Sequence, residues 1–245
     1  MTMTWTHWRL HFERTALRPV PWVEDSVPAL RARPLARILA RFQLGEAGEG
    51  RIAREIDGVA LPEIDDDYRR ALKLFVKEEA RHARVLAAIV RGLGGRLLAR
   101  GPSERLFRRG RRMFGVRFKL LVLLVAEILG GAVYAPIAAC LRGTNAGVAL
   151  QQITDDEASH LVFHAELLGA AASLSGSRRI ALRVALWAVA LGALAVVVLE
   201  NARDLRAAGI ALPRITADAI RLLREADQRA FATAGHQTAS ARTAL

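Results

Sequence analysis

Two copies of one spacing, Glu79-x-x-His82 and Glu157-x-x-His160, restrict this chain more than any other feature. Each sits inside an apolar, helix-periodic run. In "DEASHLVFH", residues 156–164, Glu157, His160 and His164 share one helical face, because residues three and four apart are neighbours. Leu150, Ile153, Leu167 and Ala171 lie on that same face. Glu79 and His82 share a stripe with Leu72, Phe75, Leu86 and Val90. Polar groups that point where apolar groups point must be satisfied in a core or gathered around a cation.

Composition permits such a core. The chain has 245 residues, of which 52% are hydrophobic, which excludes a disordered polar chain. Cys140 is the only cysteine, so an intramolecular disulfide framework and a Cys-rich zinc site are excluded. It reads as a small buried apolar residue in a reducing cytoplasmic setting. The net charge is +12, with 36 Lys and Arg against 24 Asp and Glu. Its densest basic run, Arg100 to Lys119, interleaves Leu106, Phe107, Met113, Phe114 and Phe118 with arginines. That run reads as a solvated connector or a contact with an anionic membrane surface. No nucleic-acid motif is visible, and no nucleic-acid partner is expected.

The N-terminus has no apolar signal-like region. Leu120 to Leu141 is long enough to cross a bilayer, but Glu127, Gly130, Gly131 and Pro136 make it a buried helix. Val184 to Leu199, bounded by Arg183 and Glu200, reads as a core helix or one lying in a membrane interface. The expected location is cytoplasmic, peripheral to the inner face of a membrane.

Segment by segment, residues 1–33 read as an irregular arm, and a first helix opens at Pro34. It carries Leu35, Leu39, Phe42, Ala53 and Ile56, with Glu46 and Glu49 in the gap of the stripe. Asp65 or Asp66 caps a second helix that "GLGG" ends. A third surrounds Glu127, and a fourth holds the 156–164 motif. These four, over 34–175, form the core. An apolar fifth and an amphipathic sixth helix follow over 176–235, and 236–245 reads as a flexible tail. No segment alternates like a strand. The fold class is all-α: a four-helix bundle with two additional C-terminal helices.

Each core stripe therefore contains acid. Helix one offers Glu46 and Glu49, helix two Glu79 and His82, helix three Glu127, and helix four Glu157 and His160. Four carboxylates in one core cannot all ionise without compensating positive charge. Two iron ions supply it, and manganese or a mixed pair suits the same oxygen and imidazole donors. One Glu from each of two helices plus Glu-x-x-His from each of the others is the di-metal bundle arrangement. His164, one turn beyond His160, is a packed core histidine, a third ligand, or a support for one.

The pattern resembles the ferritin-like di-iron carboxylate superfamily over roughly Pro34 to Ser173. That resemblance implies the ligands Glu46 or Glu49, Glu79, His82, Glu127, Glu157 and His160. "EEARH" (78–82) and "DEASH" (156–160) also resemble the Asp/Glu-Glu-x-Arg-His signature of bacterial multicomponent monooxygenases and ribonucleotide reductase small subunits. In those families the leading acid orients a histidine, which implies that Glu78 holds His160 and Asp156 holds His82. Ser159 stands where the signature has Arg. A more local resemblance joins "GEAGEGRI" (45–52) to demethoxyubiquinone hydroxylases, with Glu46 as ligand and Tyr134 matching a tyrosine near their metals. Gln43-Leu44 and Val133 depart from that family's pattern. Internal spacing favours Glu49 instead, since Glu49 precedes Glu79 by the same 30 residues that separate Glu127 from Glu157.

The function these resemblances imply is an O2-using di-iron oxidase or monooxygenase. It would hydroxylate or oxidise an apolar, lipid-like or isoprenoid substrate near a membrane, with a separate electron donor and as a monomer or homodimer. The alternative is a ferritin-like ferroxidase that handles iron without an organic substrate.

Overall fold

A computed structural model describes residues 4–47, 49–101 and 115–232, and of Glu49 the backbone alone. The connector residues 102–114 and the tail from 233 lie outside the described residues. Everything assigned regular structure in the described part is helical. The helices are α1 (Thr6–Thr15), α2 (Ala32–Glu46), α3 (Ile52–Glu55), α4 (Asp66–Gly92), α5 (Val116–Cys140), α6 (Asn145–Ala172), α7 (Gly176–Ala208) and α8 (Leu212–Phe231).

Local chemistry sets the ends. The Asp65 side chain accepts from the Tyr68 backbone N–H at 2.8 Å, and Asp66 and Asp67 add negative charge at the positive end of α4. Thr144 caps α6, and the Glu24 carboxylate accepts from the Asn145 and Ala146 N–H groups at 2.6 and 3.1 Å. Ser175 caps α7. Gly209 ends it at φ +76°, a left-handed conformation that glycine adopts without a Cβ penalty.

Helices α2, α4, α5 and α6 form the four-helix core, with α5 against α6 and α2 against α4. α8 packs on α6, α5 and α7, and α7 leans on α2. Two apolar clusters result. The larger runs from Leu39, Leu86 and Val90 through Ile128 and Ile153 to α7 and α8. The smaller joins Trp5, Trp8 and Phe12 to Tyr68, Phe75 and Phe163. On α4 the buried acids and His82 separate Phe75 of the smaller cluster from Val85 of the larger. As expected, α5 is a buried helix despite its membrane-like hydropathy.

Three sequence expectations need correction. The N-terminal arm is not irregular throughout, because α1 forms and packs on α4. Trp5, Trp8, Phe12 and Thr15 are all buried, and their three- and four-residue spacing places them on one face. Trp5 Nε1 donates to the Glu63 carbonyl at 3.0 Å, and Trp8 Nε1 to Glu166 at 2.6 Å. The helix from Pro34 does not continue to Ile56. It opens at Ala32 and stops at Glu46, and short 3-10 turns flank α3. Cys140 is exposed rather than buried, since it is the last residue of α5. Trp187 is half-buried between α7 and α8, where its Nε1 donates to Asp227 at 3.0 Å.

Phe12 is 1% exposed, so Phe12→Ala should lose about 3–5 kcal/mol through the cavity it leaves. In a chain of this size that lowers the melting temperature by roughly 10 °C. Leu17→Ala, at a residue 85% exposed, should leave the melt unchanged when both are followed by circular dichroism.

Candidate metal centre

Glu46 stands at the last position of α2, Glu79 and His82 on α4, Glu127 on α5, and Glu157 and His160 on α6. All but Glu46 are almost completely buried, and Glu46 is half-buried. Glu79, His82, Glu157 and His160 each bring one donor atom to within 4.8 Å of the others. His160 Nδ1 lies 3.0 Å from Glu79 Oε1 and 3.4 Å from Glu127 Oε2. His82 Nδ1 lies 3.3 Å from both Glu79 Oε1 and Glu157 Oε1. Gly130 makes room here, since a Cβ would meet the Tyr134 ring at 3.1 Å and Glu157 Oε2 at 3.4 Å. The Glu49 side chain lies outside the described residues.

The opposite edges of the imidazoles are held in a crossed arrangement. Asp156 Oδ2 lies 3.3 Å from His82 Nε2, and Glu78 Oε2 lies 3.3 Å from His160 Nε2. Each helix thus supplies the acid that orients the other helix's histidine. When Nε2–H donates to its carboxylate, Nδ1 keeps a lone pair aimed at the centre. Arg81 is buried and bonds Glu78, Asp156 at 3.4 Å, and the Thr15 carbonyl at 2.9 Å. The N-terminal arm closes the arrangement: Thr15 Oγ1 donates to Glu78 at 3.1 Å and Arg18 to Asp156 at 2.5 Å. Sequence reasoning missed Thr15 and Arg18. The Trp5–Trp8–Phe12–Thr15 spacing was a signal for α1, but nothing in the sequence places its end on the acids.

Without a cation, proton sharing balances the charge. Burial, then the charges of Glu79, Glu157 and Glu127, push Glu46 well above the carboxylate range. Burial and the charges of Glu157 and Glu79 do the same to Glu127. Burial opposes ionisation of Glu79 as well, but Glu46, His160 and His82 outweigh it and hold Glu79 well below that range. Burial likewise opposes the cationic form of His82 and His160. Asp156, Glu157 and Glu79 overcome it at His82, and Glu127, Glu78 and Glu79 at His160. Tyr134 donates to Glu46 Oε1 at 2.5 Å, and burial followed by the Glu46 charge pushes its phenol well above the usual value.

A metal fits these residues. Glu79 Oε1, His82 Nδ1, Glu157 Oε1 and His160 Nδ1 are buried with no hydrogen-bond partner among the described residues, although each is of a kind that can bind a metal. Buried polar atoms are ordinarily paired, and a shared cation would satisfy all four together. Glu46 and Glu127 add two more carboxylates, so the cluster could hold a di-metal centre.

No family model matches the chain, and no curated protein matches it. A solved structure does: protein 19 with aldehyde deformylating oxidase activity from Synechococcus. The two superpose with a TM-score of 0.65 at 19% identity, over 91% of this chain and 100% of that one. The fold is ferritin-like. Four core helices hold the stripes of acids and histidines, with α7 and α8 as the two additional C-terminal helices and α1 and the short α3 also outside the bundle.

His164 adds no donor atom to the group formed by Glu79, His82, Glu157 and His160. Both its nitrogens are buried without partners, and its ring meets Phe75 edge-on at 4.7 Å. It borders a cavity of about 10 Å³ with Leu121 and Leu168, about one water in size. Burial, then the neighbouring His160, lower its pKa to about 3. The folded state therefore keeps this ring neutral while the unfolded chain takes up a proton below the ordinary value near 6.5. Stability from this group is complete above that value and is lost as pH falls from 6.5 toward 3. His164→Phe should remove about 2 kcal/mol of the loss between pH 8 and pH 5. Urea melts at the two pH values check this, and an unchanged difference would contradict a buried neutral histidine.

Proposed function

We propose that this protein is a di-iron carboxylate oxidoreductase that uses O2 to oxidise an apolar, lipid-like substrate beside a membrane surface, with electrons from a separate donor. The observation that carries the reading is the convergence of four orphaned ligand atoms, flanked by two further carboxylates, in a water-poor core. The oxidase activity named for the Synechococcus structure supports the same reaction class.

When bound, a redox-active metal pair supplies the chemistry of O2 reduction. The ligands would be Glu46, Glu79, His82, Glu127, Glu157 and His160. Glu78 and Asp156 hold the two imidazoles, and through them the Nδ1 lone pairs. Glu46 and Glu127 hold protons in the metal-free cluster and release them when cations bind, so uptake is favoured by rising pH. Tyr134 holds its proton against Glu46 Oε1. Phe12 and Phe75, both buried, pack against the His160 ring and keep bulk water from that side.

Support for a membrane surface comes from α7. Ile180, Val184, Ala188, Leu191, Ala195 and Leu199 follow one another every three or four residues and are all exposed. They form an apolar stripe roughly 29 Å long at the helical rise. Its opposite face, with Leu186, Ala190, Leu194 and Val197, is packed in the core. A strongly basic chain with such a face suits an anionic bilayer interface.

Purified protein loaded anaerobically with ferrous iron should bind about two irons per chain. It should develop an optical band on exposure to O2 and consume the gas. His160→Ala should abolish this uptake, and Asp156→Ala should weaken metal affinity about 10–100-fold. Metal-free protein with an unchanged melting temperature on adding iron would overturn the reading, and a 24-subunit shell on gel filtration would point to iron storage instead. In a separate measurement, wild type should float with phosphatidylserine vesicles, while Val184→Glu with Leu191→Glu should stay in the lower fraction. Equal flotation of both would remove α7 from the reading.

A further inference from the structure

Beside the metal centre lies an open cleft of about 610 Å³ between the end of α2 and the outer face of α4. That volume is within the range of small-molecule sites. Val76, Ala80, Ala83 and Ala87 fall on one face of α4, and their small side chains leave the trough. Gln43 and Glu46 line it from α2. Glu46 is thus shared between the cleft and the carboxylate cluster, where Tyr134 donates to its Oε1.

Two cations line the same trough. Arg84 and Arg91 are exposed, and neither side chain makes an ion pair or hydrogen bond with a described residue. At the helical rise they lie roughly 7.5 and 18 Å beyond Glu79 along α4, in the direction away from its N-terminus. The trough is therefore apolar along its floor, reaches the metal centre at Glu46, and is positively charged farther along.

We propose that this cleft binds an amphiphile made of an apolar chain and an anionic end group, a carboxylate or a phosphate monoester. The end group is held by Arg84 and Arg91, and the chain lies over the alanines with an inner segment presented at Glu46. Guanidinium groups bond both anions through paired N–H donors, which gives these arginines the chemistry the end group requires. The carbon offered for oxidation then lies several bonds from the charged end. This assignment rests on the oxidase reading only for what happens at Glu46. The binding itself does not depend on turnover.

Calorimetric titration of the full chain with dodecanoate, dodecyl phosphate, dodecanol and inorganic phosphate tests it. The two anionic amphiphiles should bind about tenfold more tightly than dodecanol, as expected for charge-assisted hydrogen bonds, and phosphate alone should bind weakly. The tighter of the two identifies the end group. Arg84→Ala with Arg91→Ala should erase the preference and leave dodecanol affinity unchanged, whereas Arg142→Ala, an exposed arginine outside the cleft, should preserve it. Ala80→Phe fills the trough from an exposed position and should weaken all three chains. Equal affinity for dodecanol and the anions, or a preference that survives the double substitution, overturns the proposal. A protein that shows this preference but takes up no metal would overturn the oxidase reading alone. A protein that consumes O2 with iron but shows no preference would overturn the cleft assignment alone.

Discussion

The rest of the structure is arranged around the electrostatics of four carboxylates and two imidazoles brought into one core. Burial penalises each charge separately, so none of these groups is stable there alone. Together they form a set in which two acids hold protons, two histidines take on positive character, and four donor atoms remain aimed at one another. A cluster of this kind needs rigid walls. The long helices α4, α5 and α6 provide them, each contributing its buried acids and histidines from a single face near mid-length.

The imidazole rings are oriented by acids from the opposite helix, and those acids are oriented in turn by cations and hydroxyls. Arg81 joins Glu78 to Asp156, so the two supports act as one network. Thr15 and Arg18 then tie that network to the N-terminal arm. The arm is more than a covering segment, because its aromatic face fills the space beside His160 while its end bonds the acids. Phe12 and Phe75 pack their rings against His160 at centroid distances of 5.8 and 4.8 Å. Buried polar groups that are fully bonded set a single geometry, which a metal-binding site requires.

Two outer surfaces give this bundle its asymmetry. On one side α7 turns an apolar face outward while its inner face completes the core. On another, the alanine face of α4 leaves a trough that ends at Glu46 and carries Arg84 and Arg91, which pair with no described residue. An apolar substrate with a charged end would be compatible with both surfaces, since a bilayer interface holds the same combination of acyl chain and anionic group.

Much of the candidate site was legible because a shared cation would restrict the spacing of its ligands. Glu79-x-x-His82 and Glu157-x-x-His160 are local patterns, and the helix period alone puts each pair on one face. The lone acids Glu46 and Glu127 were legible because each interrupts an apolar stripe. Other features were not local. Whether helix one continued past Glu46 depended on a break that no proline announces. Cys140 was misplaced because an apolar neighbourhood in sequence does not say where a helix emerges into solvent. Thr15 and Arg18 carry no pattern that names Glu78 and Asp156 as partners. By itself, the sequence determined an all-helical chain with acids and histidines on its core faces, because periodicity and the cost of buried charge act within a helix. Only the tertiary structure decided which acid holds which histidine, that the arm closes the site, and that a cationic trough opens beside Glu46, because those contacts join residues far apart in the chain.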